Sequence, residues 1–301
     1  MLSGLEALRA GLAPHYTVER EIGAGGMARV YLAQERHPPR KVAIKVMKPA
    51  ISTPSFRERF IREVELTSNL SHPHIVPILA ADECLFVADG PEGLCYYVMP
   101  YIEGESLRAR LLREKRLPLT EALRLARDVA DALGYAHARG IIHRDIKPEN
   151  ILLSGGHALL TDFGIARAIS AARASATITT PGELVGSLAY MSPEQLASVG
   201  PLDVRTDVYS LACVLYEMLS GAPPLLALTQ PAVGSRPGLL SALRAQGVSR
   251  AVAQAQCAAL NQGLAADPGA RCASVEELMT RVDEALRPRW TSRVSALFGR
   301  G

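Results

Sequence analysis

Two hydrophobic rhythms divide the chain. Over residues 16–46 apolar and polar positions alternate in short runs, YTVEREIGAGGMARVYLAQE and then KVAIKVM, rich in β-branched and aromatic residues around a group of glycines. Such runs predict strand, glycine-rich turn, strand, strand. From Thr53 the period lengthens. Phe56, Phe60, Val64 and Thr67 recur at helical spacing behind Thr53-Pro54, an N-cap with proline at the first helical position. The runs at 75–80 (IVPILA) and 94–99 (LCYYVM) predict strands again. The first hundred residues therefore read as a small sheet with one inserted helix.

After Gly104 the helical period dominates. From Thr120, one stripe carries Leu123, Ala126, Ala130, Leu133 and His137, and Leu125, Val129, Ala132 and Ala136 lie beside it. A helix so broadly apolar is buried. Residues 207–219 (DVYSLACVLYEML) are apolar on almost every side and belong at the centre of a second lobe. Ser274-Val275-Glu276-Glu277 is a capping box that opens the last core helix. The pattern predicts an α+β architecture, a small mostly-β lobe followed by a larger mostly-α lobe, with the cleft between them as the ligand site.

Composition narrows the function. Among 301 residues 48% are hydrophobic and 21% charged, which excludes a disordered chain. The net charge of +3, with both signs interspersed, does not call for nucleic acid. The five cysteines, Cys84, Cys95, Cys213, Cys257 and Cys272, are odd in number, widely spaced and without a C-x-x-C. They read as reduced thiols of a cytoplasmic protein, neither a disulfide framework nor a zinc site. Glu6 and Arg9 interrupt the apolar pattern of the N-terminus, so it is no signal peptide, and no run is long enough to cross a membrane.

The chemistry concentrates in three places. Gly23-Ala24-Gly25-Gly26-Met27-Ala28-Arg29-Val30 puts glycines between two strands, where backbone N–H groups can approach phosphates. Alone it is a weak signal, since many hairpins hold three glycines. Val42-Ala43-Ile44-Lys45 places a lysine on an apolar strand, costly to bury unpaired unless it sits at an edge facing water. Glu63 on the following helix can reach back to it, with Glu58 and Glu65 as competitors. The strongest signal is IIHRDIKPENILL (141–153) followed by LLTDFGIAR (159–167). Apolar strands bracket His143, Arg144, Asp145, Lys147, Glu149 and Asn150, and Asp162 ends a strand at a turn. The oxygen ligands Asn150 and Asp162 on adjacent loops suit Mg²⁺, and Asp145 is a free carboxylate beside them.

With these motifs in order, and SPE (192–194), DVYSLA (207–212) and DPGAR (267–271) after them, the sequence resembles the eukaryotic-like protein kinases, in particular bacterial Ser/Thr kinases with a G-x-G-G-M loop. The resemblance covers about residues 16–286 and implies a bilobal protein kinase fold, with an N-lobe of about 16–100, a C-lobe of about 103–286 and a short basic tail at 287–301. It implies ATP as phosphate donor with Mg²⁺ or Mn²⁺. Ile22 and the loop Gly23–Val30 would cover the phosphates. Lys45, held by Glu63, would bind the α- and β-phosphates. Asp145 would accept the proton of the substrate hydroxyl, Lys147 would steady the γ-phosphate, and Asn150 and Asp162 would hold the metal. Met99 falls at the gatekeeper position, and Pro100, Tyr101 and Ile102 form the adenine-binding hinge. Lys147 in HRDIKPEN is the form of a Ser/Thr kinase. Glu194 and Arg271 match a structural ion pair, and Asp207 a buried brace of the catalytic loop.

The chain departs from the family pattern at three positions. Ala28 replaces the third loop glycine, Ser187 a threonine, and Ala212 a glycine. The stretch after Pro223-Pro224 matches poorly. Arg144 reads either as an ordinary loop arginine or as the counter-charge for a phosphorylated activation loop, with Thr177, Thr179 and Thr180 as phosphosites. The expected partners are protein substrates with Ser/Thr acceptors and a second copy of the chain during autophosphorylation. The tail, with Trp290, reads as a packed or frayed terminus or as a docking segment. A pseudokinase scaffold and a small-molecule kinase are the alternative readings. Against the first stands the presence of Lys45, Asp145, Asn150 and Asp162; against the second, the SPE segment.

Overall fold

The structure, a computed structural model, describes residues 4–25, 28–48, 54–85, 94–163, 188–197, 200–224 and 238–286. A short helix α1 (Gly4–Leu12) precedes strands β1 (Tyr16–Ala24), β2 (Ala28–Arg36) and β3 (Pro39–Met47), helix α2 (Pro54–Ser68) and strands β4 (Ala80–Leu85) and β5 (Leu94–Pro100). The five strands form one antiparallel sheet in the order β1-β2-β3-β5-β4.

Period-two alternation sorts the side chains of this sheet. Val42, Ile44 and Val46 of β3 and Tyr96 and Val98 of β5 pack on one face with Leu8 and Leu12 of α1. Ala43, Met47, Cys95, Tyr97 and Met99 pack on the other with Phe56, Phe60 and Val64 of α2. Lys45 falls in phase with Ala43 and Met47, so the sheet geometry sends it to the α2 face. Helix α1 was not expected as a packed element. It docks by burying Leu8 and Leu12 and by donating from Arg9 to the carbonyls of Val18 and Glu19.

The strand expected over 75–80 is corrected. Residues 75–79 are irregular and β4 starts at Ala80. Pro77 has no N–H to give to a ladder. Instead Ile75 forms a lone bridge with Leu160, Val76 N–H donates to Leu160 O, and Leu79 N–H donates to Val98 O. This segment therefore ties the small lobe to the large one.

The second lobe contains β6 (Glu105–Ser106), α3 (Leu107–Glu114), α4 (Leu119–His137), the hairpin β7 (Ile151–Ser154) and β8 (His157–Leu160), α5 (Pro193–Ala197), α6 (Arg205–Ser220), α7 (Leu239–Ala245), α8 (Arg250–Gly263) and α9 (Val275–Glu284). Every residue of α6 from Thr206 to Leu219 is buried, and α4 buries both of its predicted stripes apart from His137. Both helices pack on α9. Ser274 caps α9 by accepting from Glu277 N–H at 3.2 Å, while Glu277 reaches back to Ala273 N–H, one residue before the cap. The chain enters this lobe through Gly104, whose φ is +153°. A Cβ there would stand 1.9 Å from the Leu153 carbonyl oxygen, so only glycine lets β6 lie against β7. Among the described residues no helix is long and apolar enough to cross a membrane, and Cys95, Cys213, Cys257 and Cys272 are buried and form no disulfide with one another.

Candidate active site

Residues 141–147 are irregular, so the apolar strand expected before the polar run is absent. Backbone groups there bond elsewhere. Ile141 N–H donates to Ala136 O, and the N–H groups of His143 and Arg144 donate to the two carboxylate oxygens of Asp207, each at 2.8 Å. Asp207 is wholly buried in the first turn of α6 and also bonds His137 Nε2 at 2.8 Å. Arg144 takes φ +70°, a strained setting for a residue with a side chain. Its carbonyl accepts from Gln195 Nε2 at 2.8 Å, so α5 and α6 grip it from both sides.

This grip fixes the next residue, Asp145. Lys147 Nζ and Asn150 Nδ2 both donate to its Oδ2, at 2.7 and 3.0 Å. Among the described residues no donor reaches its Oδ1. Asn150 Nδ2 also donates to the Asp145 carbonyl at 2.8 Å, which orients the amide and leaves its oxygen as the free face. His143 is fully buried. Its Nε2 bonds the Thr161 carbonyl at 2.9 Å, its Nδ1 accepts from Asp145 N–H, and Phe163 packs edge-on at 4.6 Å.

The β7–β8 hairpin brings the second half of the set alongside. Ile151 pairs with Leu160, and Thr161 N–H donates to Asn150 O, so Asn150 and Asp162 flank the open end of one hairpin. Asp162 has φ +70° and aims its carboxylate at the small lobe. Lys45 Nζ lies 2.6 Å from its Oδ2, and the Tyr97 hydroxyl donates to its Oδ1. Burial alone would raise the Asp162 pKa, but the Lys45 charge and the two hydrogen bonds hold it below the usual carboxylate range. Burial first, and then the Asp162 charge, push the Tyr97 phenol well above its ordinary value. Tyr97 therefore acts only as a donor. A sequence reading counts it as a core aromatic; the signal for it is its position directly opposite Lys45 on the neighbouring strand.

The expected contact between Lys45 and Glu63 is not among the ion pairs of the described residues. Glu63 is buried on α2, while Lys45 is paired with Asp162.

Around the cleft, Ile22, Gly23 and Ala24 end β1, Gly23 pairs with Val30 and Ala24 with Arg29. Gly25 N–H closes the turn on Ala28 O at 2.9 Å. Gly26 and Met27 lie outside the described residues. Met99 is buried and its sulfur meets the Thr161 hydroxyl at 3.6 Å. Pro100 ends β5, Tyr101 N–H donates to Lys41 O at 3.2 Å, and Ile102 packs at the edge of the small-lobe core. Thr177, Thr179, Thr180 and Ser187 lie outside the described residues, as do the stretch 225–237 and the tail 287–301.

The donor set fits a hard divalent cation. Asp162 is held ionised, and Asn150 offers a neutral amide oxygen oriented away from Asp145. Two oxygen ligands of this kind suit Mg²⁺ or Mn²⁺.

The profile of the protein kinase domain family matches residues 16–256. The chain belongs to the protein kinase domain family. Its relatives include Serine/threonine-protein kinase PknB of Mycobacterium leprae, 41% identical over 217 residues, which covers 71% of this chain and 34% of that protein. PknJ of Mycobacterium tuberculosis is 40% identical over 218 residues, covering 70% of this chain and 35% of that one. The chain thus spans about a third of the length of these curated relatives. A crystal structure of the Mycobacterium tuberculosis PknI kinase domain superposes with a TM-score of 0.69 at 32% identity, covering 90% of this chain and 95% of that one. The bilobal kinase fold expected from the motifs is the fold of this chain.

Two supports of this kinase domain are structural. Arg271 donates to both oxygens of Glu194, at 2.7 and 2.6 Å, with Arg271 buried over the Tyr209 ring. Burial alone would raise the Glu194 pKa, but these bonds and neighbouring ones hold it at about 2. The departure at Ala212 is matched by Gly263. A Cβ at 263 would stand 2.9 Å from Ala212 Cβ, so the glycine makes room for the methyl group.

Proposed function

We propose that the kinase domain transfers the γ-phosphoryl group of ATP to serine or threonine hydroxyls of proteins. The observation that carries this is Asp145. Its Oδ2 is held by Lys147 and Asn150, while no described residue donates to its Oδ1, and the neighbouring β7–β8 hairpin carries the Asp162 carboxylate that Lys45 clamps. Oδ1 is then the proton acceptor for a substrate hydroxyl. The hydroxyl oxygen forms a bond to the γ-phosphorus, the bond to the ADP oxygen breaks, and the proton goes to Asp145. Lys45 and the loop around Gly23–Val30 are the phosphate-binding groups, Met99 to Ile102 border the adenine, and Lys147 stabilises the transferring group. Asn150 and Asp162 would hold Mg²⁺, which supplies charge neutralisation at the phosphates. Lys147 in this loop and the similarity to kinases named for serine/threonine support that acceptor class.

The domain is proposed to run to residue 286, because α9 packs on α4 and α6 in one core. The chain acts on cytoplasmic proteins and on a second copy of itself. Phosphate on Thr177, Thr179 or Thr180 would pair with Arg144 and raise activity. Incubation with ATP and Mg²⁺ should label the chain and a basic acceptor protein on Ser/Thr. Asp145→Asn and Lys45→Met should fold and lose at least about 100-fold in rate. Equal labelling by wild type and Asp145→Asn overturns the reading. Mass spectrometry of a fully active preparation with all three threonines unmodified overturns the regulatory part alone.

A further inference from the structure

A second polar cluster lies outside the cleft, where the segment leading out of α2 meets α4 and the β7–β8 hairpin. His74 lies in that segment, Asp128 on α4, and His157 opens β8. His74 Nε2 is 3.6 Å from Asp128 Oδ1, and His157 Nδ1 is 3.3 Å from Asp128 Oδ2. One atom from each of the three residues can be chosen so that all lie within 4.8 Å of one another.

A single residue orients two of these groups. Ala158 N–H donates to Asp128 Oδ2 at 2.9 Å, and Ala158 C=O faces His74 Nδ1 at 2.9 Å. A carbonyl can only accept, so His74 carries a hydrogen on Nδ1, and a neutral ring then presents its Nε2 lone pair to Asp128. Nε2 and Oδ1 face each other beyond hydrogen-bond distance, two electron-rich atoms converging on one point. An imidazole whose other nitrogen donates to a backbone carbonyl is the arrangement that fixes histidine metal ligands. The third group, His157, is 62% exposed and gives access from solvent.

We propose that His74, Asp128 and His157 bind one divalent transition-metal ion, zinc above all. Two imidazoles and a carboxylate leave a fourth position for water, which is an open tetrahedral zinc set. Imidazole nitrogen also separates this site from the cleft, since Mg²⁺ takes oxygen ligands. A metal ion here ties the segment behind α2 to both α4 and β8, and so staples the two lobes at their junction.

The test uses the full chain, stripped with chelator and titrated with Co²⁺ in excess Mg²⁺ without nucleotide. One equivalent should bind with the visible absorption of a tetrahedral cobalt–imidazole centre. Zn²⁺ should displace it and raise the melting temperature. His157→Ala and the bulkier His157→Gln change an exposed position. Each should weaken binding at least about tenfold and abolish the Zn²⁺-dependent rise in melting temperature. Asp131→Asn, which alters a neighbouring exposed carboxylate on α4, should bind Co²⁺ as wild type does. No Co²⁺ uptake by the wild type, or affinity unchanged in both His157 variants, overturns the proposal.

Discussion

Lys45 and Tyr97 stand directly opposite each other on β3 and β5, and each takes one oxygen of the same carboxylate, Asp162. Two adjacent strands of the small lobe thereby hold a residue that belongs to the large one. The ammonium sets the charge of Asp162 and the phenol sets its direction.

Tyr97→Phe keeps the ring and removes the donor. The bond from Tyr97 lowers the Asp162 pKa, so its loss raises that pKa. Asp162 is then protonated at higher pH. The acid limb of a kcat/KM–pH profile should move upward, with little change near neutrality. An unshifted acid limb in a folded variant contradicts this role.

Asp207→Asn replaces an acceptor that serves three donors in a fully buried site. The amide can turn only one oxygen to two backbone N–H groups. Unfolding in urea should show a loss of about 2–4 kcal/mol, and phosphorylation should fall with it although Asp207 lies outside the chemistry. Unchanged stability would show that Asp207 does not brace the loop.

Glu194 is ionised down to about pH 2 when folded, against an ordinary value of 4.5. Because the folded value is the lower one, this group stabilises the fold fully above pH 4.5, and the contribution is lost as pH falls towards 2. Wild type should exceed Glu194→Gln by about 3 kcal/mol at neutral pH. The gap should narrow through that window in acid-unfolding curves.

Gly263→Ala should cost about 1–3 kcal/mol, because its methyl would meet Ala212 and Leu278 at 2.9 Å. Adding Ala212→Gly should restore part of that loss. A double-mutant cycle in urea, showing coupling above about 0.5 kcal/mol, checks it.

Much of this was legible from residue pattern. Glycines between strands, a lysine amid apolar neighbours and acidic residues at strand ends announce local geometry, and the hairpin duly brings Asn150 and Asp162 side by side. Helix α6 was plain because burial on all sides leaves no polar stripe. Tyr97 was hidden, since a strand aromatic looks the same whether its hydroxyl is idle or bonded to a partner 65 positions away. The run at 75–80 misled because a short apolar run marks a chain that packs, not one that bonds in a ladder, and Pro77 sits within it. Ile141 and Ile142 misled likewise: their neighbours' N–H groups belong to a side chain on α6. The Ala158-centred cluster was out of reach, for it draws on three distant stretches of chain.

The shape of the loop carrying Asp145 is written largely in another part of the molecule. Arg144 adopts a backbone angle that few side-chain-bearing residues accept, and it does so between an anchor on α6 and one on α5. The position of Asp145, the proposed proton acceptor, is therefore adjustable from a distance. A small shift or rotation of α6 would re-aim Asp145 without altering any residue of the cleft, so changes deep in the large lobe can tune turnover while leaving nucleotide contacts as they are.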